Sequence, residues 1–112
     1  MARAVQDLLR EQLNLDGFTR ENPESIVIGV AAEIVARQNP NRAALLIVNL
    51  STDDMFARPR AVPSATAGIR IGPSGGSMVV RWDEDFDLPT AEWLLIADLA
   101  ASPYYLLEFL LA

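Results

Sequence analysis

The sequence predicts an all-β fold: an antiparallel β-sandwich, jelly-roll-like, of about seven strands, carrying an N-terminal α-helix and an extended arm. Three observations lead there. From Ile26 onward, apolar residues recur with a period of two. Turn signals punctuate the chain at roughly 10-residue spacing. Strands and helices do not alternate, which argues against a parallel α/β sheet.

Residues 2–14 read as a helix, because Val5, Leu8, Leu9 and Leu13 fall on one stripe at helical spacing. Asn14-Leu15-Asp16-Gly17 supplies its stop. The polar stretch Thr19–Ser25 is extended, since Pro23 forces Asn22 out of the helical region. Residues 1–25 are thus expected as helix and arm, and residues 26–112 as the sandwich domain. A helix this short is marginal alone in water and must dock on something.

Within the domain, Ile26, Ile28, Val30, Ile34 and Ala36 share one strand face, with Glu33, Val35 and Arg37 on the other. Asn39-Pro40-Asn41 turns the chain into Arg42–Leu50. This segment is apolar on both faces: Ala43, Leu45 and Ile47 point one way, Ala44, Leu46, Val48 and Leu50 the other. Met55–Val62 reads as a strand that Pro59 and Pro63 restrict to a sheet edge. Ala67–Ile71, Ser77–Trp82, Ala91–Ala97 and Tyr104–Leu111 complete the set. Gly72-Pro73-Ser74-Gly75-Gly76 forms a tight turn between two of them. Tyr104–Leu111 again reads as apolar on both faces. Two such strands expose an apolar patch unless another element or subunit covers it.

The 112-residue chain is half hydrophobic and carries a net charge of −6. That balance disfavours a nucleic-acid surface, which needs a basic stripe. No apolar run reaches the ~18–20 residues that span a bilayer. The first residues carry charge where a signal peptide has its apolar segment, so synthesis in the cytoplasm is expected. All nine basic residues are arginine, and cysteine, histidine and lysine are absent. Disulfides, thiolate or Schiff-base catalysis and a histidine base are therefore excluded. No catalytic residue, cofactor or metal site is expected. The cluster Asp83, Glu84, Asp85 and Asp87 starts like a calcium loop, but Leu88 stands where the loop glycine belongs, and a solvated acidic turn is the competing reading. Such a turn can also discourage wrong edge pairing. Trp82, Trp93, Tyr104 and Tyr105 fit either a sugar-stacking platform or core and interface packing. Arg58, Arg60, Arg70 and Arg81 alternate with apolar residues, towards solvent or a partner's carboxylates.

Three stretches carry a likeness. They are Asn41–Ser51, an arginine and an apolar strand ending in Asn-Leu-Ser; Ala67–Gly76, Gly-Ile and then a glycine turn; and Leu88–Ala97, Leu-Pro-Thr before a strand. Together the region from Asn41 to Leu107, about three-fifths of the chain, resembles small virion proteins of tailed phages. The resemblance implies a non-enzymatic β-sandwich of the particle. It would be a capsid decoration (cement) protein bound to the major capsid protein or, alternatively, a head-fibre or tail-fibre module contacting host glycan. Assembly as a dimer or trimer is expected, without nucleic acid or membrane. The expected interface residues are Val5, Leu8, Leu9, Leu13, Leu46, Val48, Tyr105, Leu107 and Phe109.

Overall fold

The computed structural model describes residues 17–111. The expected N-terminal helix, with Val5, Leu8, Leu9 and Leu13, lies outside the described residues. The rest is all-β: two antiparallel sheets packed as a sandwich, with one 3-10 turn at Leu88–Thr90. The first sheet runs β1 (Gly17–Glu21), β9 (Ser102–Leu111), β4 (Arg42–Asn49), β7 (Ser77–Arg81), with β2 (Val27–Ile28) also on β9. The second runs β3 (Glu33–Ala36), β8 (Trp93–Ala97), β5 (Met55–Pro59), β6 (Ile69–Ile71).

The doubly apolar strand lies where its pattern demands. β4 sits between β9 and β7, and its burial alternates. Leu45 and Ile47 are fully buried against Trp93, Leu95, Met55 and Leu106 in the core, while Leu46 and Val48 are half-covered on the outside. A period of two on a flat strand assigns these faces, and β9 divides its residues in the same way.

Among the described residues, nine strands stand where about seven were expected. The run from Ile26 to Ala36 is two strands, because Gly29–Ala32 carries the chain from one sheet to the other. A register shift between Ile34 and Ala36 then buries Val35 and Ala36 together, so strict alternation fails there. Gly17–Glu21, expected within the arm, is extended and pairs along β9 from Gly17↔Leu111 to Glu21↔Leu107. At Asn22 the ladder is continued by a side chain. Its Oδ1 accepts from Leu106 N at 3.2 Å, its Nδ2 donates to Tyr104 O at 3.2 Å, and its backbone N donates to Leu106 O at 2.8 Å. The extended run expected over Thr19–Ser25 ends at Glu21: Asn22 takes a positive φ of 35° instead of the extended conformation usual before a proline, and its side-chain bonds to β9 accompany that turn.

The edge assignment of Met55–Val62 needs correction. β5 is interior, between β8 and β6. Pro59 is tolerated because it is the last residue of β5, beyond the β6 pairing, which stops at Ala57. The last strand starts at Ser102 rather than Tyr104, with Pro103 opposite Val27.

Candidate interaction surface

The outer face of the first sheet gathers the expected contact residues of the domain. Reading across β7, β4, β9 and β1, one row is Val79–Leu46–Leu107–Glu21. The next rows are Ser77–Val48–Tyr105 on one side and Arg81–Ala44–Phe109–Thr19 on the other. Leu46, Val48, Tyr105, Leu107 and Phe109 thus share one surface, extended by Val79, which sequence reading did not single out. Val79 is 52 % exposed and Phe109 38 %. The polar margin is set by Glu21, whose carboxylate accepts from the Tyr105 hydroxyl at 2.5 Å. That bond and partial desolvation raise the Tyr105 pKa.

The inner side of the same strands holds a charged cluster that the sequence did not announce. Arg42 and Glu108 are both buried, and Arg42 Nε donates to Glu108 Oε2 at 2.8 Å. Arg42 Nη1 donates to Pro89 O and Ala91 O, each at 3.0 Å, and Nη2 donates to Arg37 O. Arg20, directly opposite Glu108 on β1, donates to Oε1 at 2.9 Å. Burial lowers the Arg42 pKa against the pull of Glu108, whereas the bond to Glu108 raises that of Arg20. The cluster ties β1, β9 and β4 to the loops at residues 37 and 89–91. Arg42 and Glu108 lie in the interior, and the half-exposed Arg20 side chain closes the cluster from the solvent side.

The other candidate groups are dispersed. Trp93 is fully buried, and its indole N–H donates to Leu88 O at 2.9 Å. Tyr104 is also buried, 2.8 Å from Ser25 Oγ. Neither can stack on a sugar, so the four-aromatic platform is not assembled; Trp82 alone of the two tryptophans is exposed. The acidic loop is solvent-exposed and bonds to its own chain. Asp85 Oδ2 accepts from Arg81 N at 2.8 Å, Asp87 pairs with Arg60 at 3.0 Å, and Glu84 pairs with Arg81. Among the described residues, no group of three His, Cys, Asp or Glu is placed to hold a metal ion. Arg60, Arg70 and Arg81 pair with carboxylates of this chain, with Arg70 2.8 Å from Asp54, and all three side chains stay half-exposed or more.

No family model matches the chain, and no curated protein matches it. Solved structures of similar shape include a protein of Bacillus endospore appendages, disulfide-linked pili, at 14 % identity and TM-score 0.46, covering 85 % of this chain and 83 % of that one. The Tobacco streak virus coat protein, solved as a dimer, aligns at 11 % identity and TM-score 0.46, over 88 % and 85 % of the two chains. A second crystal form of that coat protein aligns at 10 % identity and TM-score 0.45, over 88 % of each.

Proposed function

We propose that this chain is a non-enzymatic structural protein of a phage virion that works as a homo-oligomer. The outer face of the β1–β9–β4–β7 sheet is its contact surface. The observation that carries the reading is the block Val79, Leu46, Val48, Leu107 and Phe109, which is apolar, contiguous across three strands and unshielded by either sheet. An apolar sheet face of this kind marks an interface on a small domain. The strand order supports the reading. With β1 and β2 taken as one strand, the two sheets have the jelly-roll wiring used by viral capsid and lectin domains. The likeness of Asn41–Leu107 to tailed-phage virion proteins favours a capsid decoration role, bound to the major capsid protein, over a fibre module. Burial of Trp93 and Tyr104 also weakens the glycan alternative.

Light scattering on the purified chain at tens of micromolar tests the oligomer. An oligomer that Leu46→Glu dissociates is the expected result; a monomer overturns the reading. Co-sedimentation with purified capsids, against tails of the same phage as the comparison, tests the decoration role.

A further inference from the structure

We infer that two copies of the chain meet through one end of the sandwich, the end formed by Val27–Ala32, Leu50 and Leu99–Pro103, with the same end contributed by each copy. This rests on the oligomer reading above and extends its contact surface beyond the sheet. Three passages of the chain build the end. Val27 pairs with Pro103, Leu50 N donates to Pro103 O at 3.2 Å, and Ala97 N donates to Gly29 O at 3.0 Å, just before the Leu99 turn. Val27, Val30, Leu50 and Leu99 are each between 42 % and 61 % exposed there. Neither Ile26–Ala32 nor Leu99–Pro103 contains a charged residue. Loops that face only water are ordinarily polar, and an exposed apolar cluster marks a contact site.

The end is held in shape. Ser102 Oγ donates to Leu99 O at 2.8 Å, and Ala101 closes that turn at φ 54°, a conformation that favours glycine. Leu99 therefore stands on a bonded turn, and little ordering is required of it when a contact forms. The end is also continuous with the outer sheet face. Leu50 follows Val48 on the same side of its strand, and Pro103 precedes Tyr105 in the same way, so no charged side chain separates the two surfaces.

Area and charge name the occupant. At roughly 60 Å² apiece, the four aliphatic residues, with the exposed alanines and proline of the same loops, offer ~500 Å². Two such ends facing one another bury about 1,000 Å², the area a specific interface should clear. An uncharged end is matched by another uncharged surface, and the opposite end of the sandwich is not one. There Trp82 and Phe86 are exposed among Arg60, Arg81 and the acids of the 83–87 loop, whose charges a contact would have to desolvate. A bilayer is matched no better, because the two loops lack the tryptophan, tyrosine, lysine and arginine that anchor a chain at a membrane surface. The same patch on both subunits, related by a two-fold axis, closes the contact. The acids at its border, Asp54 and Asp98, are joined by a bond from Asp98 N to Asp54 O at 3.3 Å. Salt screens their repulsion when two ends approach.

The chain lacks cysteine, so single cysteines report the contact. Full-length chains carrying Val30→Cys, Leu50→Cys or Leu99→Cys are oxidised and run on a denaturing, non-reducing gel beside Phe86→Cys at the opposite end. Covalent dimer from at least one of the three, at severalfold the yield from Phe86→Cys, is the expected result. Equal yields mean random collision and overturn the inference, as does the absence of dimer from all three. Light scattering on Leu99→Asp, with its fold checked by circular dichroism, is expected to give half the parent's mass or less, and Val30→Asp repeats the test on the neighbouring loop. Both variants at the parent's mass overturn the inference, and dissociation by Leu46→Glu then leaves the oligomer reading standing. A monomeric parent removes both. Raising sodium chloride from ~0.05 M to ~0.5 M is expected to hold or tighten the contact; loosening points to a surface bearing arginine and overturns the pairing of like ends.

Discussion

Arg42 Nε donates to Glu108 Oε2 at 2.8 Å, with neither side chain exposed to solvent. The pair lies inside the sandwich, on strands whose sequence is largely apolar. Its first consequence concerns stability. Glu108→Leu leaves a buried guanidinium without its counter-charge, which costs about 3–5 kcal/mol. The double variant Arg42→Met/Glu108→Leu removes that charge but deprives Arg37 O, Pro89 O and Ala91 O of their donor. Recovery is therefore expected to be partial, unlike that of a simple ion pair replaced by apolar residues. Urea denaturation midpoints check this. A double variant as stable as the unsubstituted chain shows that the three carbonyl bonds contribute nothing.

Asn49 makes a second prediction. Its amide is buried and fully used: Nδ2 donates to Asp53 O at 2.6 Å and Ile71 O at 2.9 Å, while Oδ1 accepts from Ser51 N at 2.9 Å and Ser51 Oγ at 2.7 Å. The knot fixes the turn from β4 into β5 and anchors it to β6 in the other sheet. Asn49→Asp keeps the shape but sets a carboxylate against two carbonyl oxygens, so a loss of about 2–3 kcal/mol is expected. Asn49→Asp as stable as the parent by thermal melting at neutral pH counts against the knot.

Which parts of this were legible in the sequence follows from which signals are local. The two faces of Arg42–Asn49 and of Tyr104–Leu111 were readable because a period of two is written in consecutive residues. The Gly72–Gly76 turn was readable for the same reason: a Cβ on Gly76 would lie 2.3 Å from Gly72 O, and Gly75 has a φ of 103°. The crossover at Gly29–Ala32 was not, since a strand that changes sheets keeps its local pattern. Nor was the pairing of Arg42 with Glu108, which are 66 residues apart. A lone Glu in the apolar run Tyr104–Leu111 was the available clue, and an inward-pointing charge demands a buried partner. The pattern also could not tell Trp93, which is buried, from Trp82, which is exposed, because both stand near strand ends.

The pH dependence rests on Tyr104. Burial raises its pKa above the ordinary 10.0, opposed by the bond to Ser25 and assisted by Glu33 and Glu24. A raised folded-state pKa means that the folded chain resists losing the proton. The contribution to stability is complete below the unfolded value near 10 and disappears as pH rises through the folded value. Tm is therefore expected to fall above about pH 10, with a shallower fall in Tyr104→Phe. Tyr105 shifts in the same direction through Glu21, so the residual slope in Tyr104→Phe should shrink again in Tyr104→Phe/Tyr105→Phe. Equal slopes in all three chains across pH 8–11 overturn this assignment.

Phe86 yields the last prediction. It sits at φ 57° in the loop after β7 and is 89 % exposed, so its ring contributes little burial while its Cβ strains the backbone. The loop around it is held by other groups: Glu84 N and Asp85 N both donate to Arg81 O, and Leu88 N donates to Asp85 O. Phe86→Gly removes the strain, worth about 1–2 kcal/mol, against a glycine entropy cost of about 0.5–1 kcal/mol. A net gain of up to about 1.5 kcal/mol is expected. Phe86→Val, β-branched at the same positive φ, should lose stability instead. The two substitutions thus move the urea midpoint in opposite directions. If both lower it, the ring makes contacts that outweigh the strain at its backbone.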